Sequence, residues 1–160
     1  MSNDQEHSRP QKPMRVLFLC THNSSRSQMA EGLLRARGGD RYAVFSAGTH
    51  PRGVHPLAIQ VMREIGIDVS EAAGHRAKSL DEFAGQPPMD LVVTVCDDAA
   101  EECPYFPGAW RQEHWGFPDP SAAIGSDEER LAAFRSARDA IARRIEAFVR
   151  QSGAPAPAEG

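Results

Sequence analysis

The residues best suited to chemistry stand in one run, Cys20-Thr21-His22-Asn23-Ser24-Ser25-Arg26-Ser27. Five residues separate the Cys20 thiol from the Arg26 guanidinium, and small polar side chains fill most of the gap. A loop of that size can curl around one tetrahedral oxyanion, with backbone N–H groups turned inward and a helix N-terminus behind them. A guanidinium can grip two anion oxygens at once. A thiol on the floor of such a cradle has its pKa lowered, typically to about 3.5–7.5, and attacks as the thiolate. The run therefore describes a nucleophile, Cys20, beneath an oxyanion held by Thr21, His22, Asn23, Ser24, Ser25, Arg26 and Ser27. A buried cysteine followed by a surface arginine is the plain alternative. The strand–loop–helix context argues against it.

Two further thiols and a carboxylate belong with this run. Cys96 is followed by Asp97-Asp98-Ala99-Ala100-Glu101-Glu102-Cys103-Pro104. Early acids and a closing proline suit a short helix, which places Cys96 and Cys103 on one face, two turns apart. Either cysteine alone reads as a small apolar side chain under a loop. With a thiolate candidate nearby, they read as a redox pair. Asp119 lies in Glu113-His114-Trp115-Gly116-Phe117-Pro118-Asp119-Pro120. The flanking prolines hold it in a stiff, extended segment. Trp115 and Phe117 are placed to desolvate it partly, as a general acid requires. A turn-forming Asp-Pro is equally compatible with this segment.

The elements that must position these residues follow from patterning. Met14 to Leu19 reads as a buried strand ending at Cys20, and the helix after the loop carries Met29, Leu33 and Leu34 on one face until Gly38-Gly39. Tyr42 to Ser46 is a second strand, with Ala47-Gly48-Thr49 turning out of it. Pro56 opens a second helix that Gly66 closes, and Ser79 caps a short one through Phe83. Asp90 to Val95 is a near-continuous apolar run, as in a parallel strand buried on both faces. Arg111 to Trp115 is a fourth strand. Ser126-Asp127-Glu128-Glu129 is a capping box opening a long helix to about Arg150, with Leu131, Phe134, Ala137, Ile141, Ile145 and Phe148 inward. Strands alternating with helices imply a parallel sheet with right-handed crossovers. Ligands bind outside the carboxyl ends of such strands, where Cys20 and Cys96 both fall.

The length fits one catalytic domain over residues 14–150, with a flexible lead-in over 1–13 and a disordered Ala/Pro/Gly tail over 151–160. Net charge is -4 with no dense basic patch, which argues against nucleic acid as a partner. No apolar run approaches a membrane span, and the polar N-terminus lacks a signal-peptide core. The expected location is the cytoplasm, where three cysteines are better read as reactive than as a disulfide framework. No metal site is expected: there is no Cys-x-x-Cys pair and the six histidines are scattered. No long exposed apolar surface is evident, so a monomer is expected.

Together, the run Cys20 to Glu31, the strand Asp90 to Cys96, Cys103-Pro104 and Glu113 to Pro120 resemble the thioredoxin-coupled arsenate reductases, which share the low-molecular-weight protein tyrosine phosphatase fold. The resemblance covers Val16 to about Val149. It implies an α/β fold with a four-stranded parallel sheet flanked by helices on both faces. It also implies roles: Cys20 attacks arsenate, Arg26 and the loop amides bind it, Ser27 bonds the sulfur, and Asp119 protonates the departing oxygen. Cys96 then attacks the Cys20 adduct, releasing arsenite, and Cys103 takes over the disulfide for thioredoxin to reduce, by ordinary thiol exchange. Glutaredoxin with glutathione is the other possible reductant. No bound cofactor is implied, and phosphate or sulfate would compete with arsenate. The family often has glycine at the His22 position and cysteine at the Ser25 position. His22 can add a positive group beside the anion or face solvent. Some members bind potassium through residues matching Asn23, Glu31 and Ser46 plus an aspartate; here Arg76-Ala77-Lys78-Ser79 stands in that aspartate's neighbourhood, and Lys78 is expected to supply the positive charge.

Two rivals use the same loop. A phosphatase needs Cys20, Arg26 and Asp119 but neither Cys96 nor Cys103, and phosphatases of this fold tend to carry tyrosines after the Asp-Pro, where Ser121-Ala122-Ala123 stands. A thiol-based oxyanion sensor needs no acid at Asp119.

Overall fold

The computed structural model describes residues 12–97 and 106–152; the expected lead-in, the C-terminal tail beyond Ser152 and the expected Cys96–Cys103 helix lie largely or wholly outside them. Among these described residues, four parallel strands form one sheet: β1 (Met14–Cys20), β2 (Tyr42–Gly48), β3 (Leu91–Thr94) and β4 (Gln112–His114), in the order β2-β1-β3-β4. Among the described residues three α-helices accompany them: α1 (Arg26–Gly38), α2 (Pro56–Arg63) and α3 (Asp127–Ser152). β1 is central and pairs on both sides, with Phe18 opposite Ser46 in β2 and Val93 in β3. That position explains its uninterrupted apolar sequence.

Side chains of β1 alternate between two cores, as a strand's period of two requires. Val16, Phe18 and Cys20 join Val93 and Val95 in a core packed by α1 (Met29, Leu33), α2 (Val61, Met62) and α3 (Phe134, Ile141, Ile145). Leu17 and Leu19 face the other way. Among the described residues, that side is covered by Phe83, Met89 and Phe106, with a 3-10 turn at Leu80–Phe83. The expected inward face of α3 is buried at Phe134, Ala137, Ile141, Ile145 and Phe148.

Local signals act where expected. Ser79 accepts from the Asp81 N–H, opening the 3-10 turn. At α3, the Ser126 N–H donates to Glu129 (2.8 Å) and the Glu129 N–H donates to the Ser126 hydroxyl (3.1 Å). Both halves of the capping box therefore form. The ends differ by a residue or two: β2 runs on to Gly48, α2 stops at Arg63 rather than Gly66, and β3 and β4 are each trimmed at both ends.

The sheet sets up the site. The register Leu19 opposite Thr94 brings Cys20 and Cys96 to the same carboxyl end, and the Val95 N–H donates to the Leu19 carbonyl (2.9 Å).

Candidate active site

Cys20 is the last residue of β1, and the chain from Thr21 to Ser25 curls into the N-terminus of α1. Residues 50–55 run alongside. The His50, Arg52 and His55 N–H groups donate to the carbonyls of Thr21 (2.8 Å), His22 (2.9 Å) and Ser24 (3.0 Å). The Ser24 hydroxyl donates to the Gly53 carbonyl (2.9 Å). With Thr21 and Ser24 carbonyls turned outward, planar trans peptides turn the His22 and Ser25 N–H groups the opposite way, to the inside of the curl. Asn23 has φ +49°, a left-handed conformation that asparagine tolerates. Gly48, ending β2, fits close against this loop. A Cβ there would meet the Thr21 and Cys20 carbonyls at 2.6 and 2.8 Å. In the sequence the same glycine shows only as part of a turn.

The Cys20 sulfur is buried and lies 2.9 Å from the Ser27 hydroxyl. The network around it fixes which atom donates. Asn23 Oδ1 accepts from Gln28 Nε2 (3.1 Å) and from the Lys78 N–H (2.8 Å), so Asn23 Nδ2 is the donor to Ser27 Oγ (2.8 Å). The Ser27 hydroxyl hydrogen is then left for the sulfur. Gln28 Nε2 also donates to the Arg76 carbonyl (2.9 Å), so Gln28 Oε1 accepts from His75 Nδ1 (3.0 Å). Burial lowers the His75 pKa, with Glu31 opposing, which keeps the imidazole neutral at pH 7. A one-way chain results: His75 to Gln28 to Asn23 to Ser27 to Cys20. Each member donates toward the sulfur, and a donated hydrogen bond stabilises negative charge there.

Arg26 and Asp119 meet across the loop. Arg26, 4% exposed, donates from Nη1 to the Phe117 carbonyl (3.0 Å). Its Nη2 is 3.7 Å from Asp119 Oδ2. Asp119 Oδ1 accepts from the Ser121 N–H (2.9 Å) and hydroxyl (2.8 Å). Trp115 serves the core instead of screening the acid: its ring packs against Phe18 and Phe148, and its N–H donates to Glu113. His55 borders the site. Its Nδ1 accepts from the Leu57 N–H at the start of α2. Burial and Arg130 lower its pKa, and Asp119 acts against them.

Lys78 stands beside Glu31, one of the residues in question for potassium. Its ammonium lies 4.0 Å from Glu31 and donates to the Arg76 carbonyl (2.8 Å). Glu31 also pairs with Arg35 (2.7 Å) and accepts from the Ser46 hydroxyl. A carboxylate already facing two cations does not fit a third. Burial lowers the Lys78 pKa, with Glu31 opposing. His22 is half-buried in the loop.

Cys96 is fully buried and disulfide-bonded, whereas Cys20 is a free thiol. Cys103 lies outside the described residues.

A strand-ending cysteine under an anion loop, faced by an arginine and an aspartate, defines a phosphatase-type enzyme that handles tetrahedral oxyanions. The chain belongs to the low molecular weight phosphotyrosine protein phosphatase family, which it matches over residues 15–154. It is 48% identical over 133 residues to the arsenate reductase of Halalkalibacterium halodurans, spanning 83% of this chain and 93% of that one. It is 44% identical over 133 residues to the arsenate reductase of Bacillus subtilis, with the same two shares. Its fold is similar to those of an arsenate reductase in a phosphate-binding state (TM-score 0.68, 30% identity, 86% of this chain and 98% of that one) and one in an oxidized state (0.69, 32%, 86% and 97%). A Corynebacterium glutamicum thioredoxin-dependent arsenate reductase is also similar (TM-score 0.56, 26%, 89% and 67%).

Proposed function

We propose that this chain reduces arsenate to arsenite through a Cys20–arsenic adduct and a relay of disulfides. The observation that carries the reading is the division of labour among the thiols. Cys20 is free at the base of the anion loop, while Cys96, at the same end of the sheet, is held in a disulfide. Phosphate transfer has no use for the second thiol.

The Cys20 thiolate attacks arsenic and an As–O bond breaks. Asp119 gives its proton to the departing oxygen, which leaves as water. The Cys96 thiolate then attacks the Cys20 sulfur. An S–S bond forms, the S–As electron pair stays on arsenic, and As(V) becomes As(III), released as arsenite. Cys103 attacks Cys96 and frees Cys20, and an external dithiol reduces the Cys96–Cys103 pair. Arg26 and the loop amides hold the oxyanion, and Ser27 supports the thiolate. The Corynebacterium relative's dependence makes thioredoxin the favoured reductant. The phosphate-binding neighbour makes phosphate the expected competitor.

The test is arsenate-dependent NADPH consumption with thioredoxin and thioredoxin reductase, run beside hydrolysis of an aryl phosphate. Robust turnover of arsenate with slow ester hydrolysis is expected. Fast hydrolysis without arsenate turnover would instead identify a phosphatase.

A further inference from the structure

We infer that Ser121 is a positioning residue that selects which oxygen of Asp119 delivers the proton. The inference rests on the reading of Asp119 as the general acid. A carboxyl group's terminal torsion is broad and nearly two-fold, so the side chain alone does not choose between its oxygens. Its surroundings here do. Oδ1 accepts from the Ser121 N–H at 2.9 Å and from the Ser121 hydroxyl at 2.8 Å. A proton on Oδ1 would confront two donors. In the neutral acid the proton therefore resides on Oδ2. That oxygen faces the anion loop, with Arg26 Nη2 at 3.7 Å.

The consequence is an acid aimed before substrate arrives. When the Cys20 thiolate adds to arsenic, the breaking As–O bond leaves its electron pair on oxygen. The proton from Oδ2 goes to that oxygen, water departs, and Asp119 is left as a carboxylate facing Ser121 and Arg26. The backbone N–H at position 121 is present with any residue but proline. The hydroxyl is what serine adds, and it is spent on Asp119 rather than on the anion. Ser121 is exposed and outside the core, so its replacement leaves the fold intact.

The experiment is single-turnover arsenite formation by the fully reduced enzyme, in wild type, Ser121→Ala, Ser121→Thr, Asp119→Asn and the Asp119→Asn/Ser121→Ala double variant. Losing one hydrogen bond to a charged group should slow the chemical step about 5-fold in Ser121→Ala. The apparent arsenate affinity and inhibition by phosphate should stay unchanged. Threonine should restore the rate to within about 2-fold, since it keeps the hydroxyl. In the Asp119→Asn background, removing the Ser121 hydroxyl should cost nothing more. A wild-type rate in Ser121→Ala beside a crippled Asp119→Asn overturns this inference and leaves the acid assignment standing. So does an equal loss in both backgrounds. A wild-type rate in Asp119→Asn refutes the acid assignment itself, and this inference with it.

Discussion

At the scale of the residue, the Cys20 sulfur sits at the end of a polarised chain whose direction is set by saturation of acceptors. Asn23 Oδ1 is taken by two donors and Ser27 Oγ by one, so the last hydrogen is aimed at sulfur. Gln28 holds the chain together from its middle, through Asn23, Arg76 and His75. Replacing Gln28 with alanine leaves the Asn23 amide oriented by the Lys78 N–H alone. Alkylation of Cys20 at pH 6, followed by mass spectrometry in the reduced protein, should slow about 3- to 10-fold. An unchanged rate would mean that Ser27 alone orients its hydroxyl. Arg26→Lys should be far more severe, because one ammonium cannot both tether the Phe117 carbonyl and grip the anion in two places. The apparent arsenate KM should rise more than about 10-fold, and near-normal kinetics would place the anion elsewhere.

At the scale of the element, the sequence-local features were legible and the long-range ones were not. The capping box, the Cys20-to-helix loop and the run Leu91–Thr94 each declare themselves within a dozen residues, and each forms where the residues say. The parallel order follows from alternation of strands and helices. Gln28 and His75 lie 47 positions apart, so their contact leaves no local trace. Gly48 read as a turn because its reason is the approach of another segment's carbonyls. Trp115 read as a lid on Asp119 because its partners in β1 and α3 are distant in sequence. The capping box gives a direct check: Ser126→Ala should destabilise the protein by about 1 kcal/mol in urea unfolding, with the slope unchanged. The segment after Cys96 gives another. A reduced Cys96–Cys103 helix would hold the two Cα atoms roughly 10 Å apart, beyond the limit of about 7 Å for a disulfide. Oxidation must then unwind it. Amide exchange across residues 97–106 should accelerate on oxidation while Leu91–Thr94 stays protected. Equal protection in both states would remove this switch.

At the scale of the whole molecule, the proposed cascade asks Cys96 to change partners while the sheet stays in register. The framework that stays must be fastened elsewhere. Glu64, just past α2, is bound by two arginines of α3: Arg135 through Nη2 at 2.7 Å and Arg138 through Nη1 at 2.8 Å. Arg138 also reaches the Val61 carbonyl (2.9 Å), so α3 grips the end of α2 through both side chain and backbone. The Arg135 hydrogen bond is the main cause that lowers the Glu64 pKa from 4.5 to about 2; desolvation opposes it, and the Arg138 hydrogen bond and both guanidinium charges add to it. A carboxyl whose folded pKa is depressed binds fewer protons folded than unfolded, so its contribution to stability exists above the unfolded value and fades as pH falls toward the folded one. The fastening should therefore act fully above about pH 5 and be lost between there and about pH 2. Other carboxylates titrate over the same range, so the informative quantity is the difference between wild type and Glu64→Gln. Thermal midpoints measured from pH 8 down to the lowest pH at which both unfold reversibly should show the variant less stable at neutral pH. The gap should close steadily below pH 5, and added salt should narrow it at pH 7, because the pair is at the surface. A gap of constant size from pH 7 to pH 3 would show that the glutamine disturbs packing between α2 and α3, and that the charge pair does not fasten them.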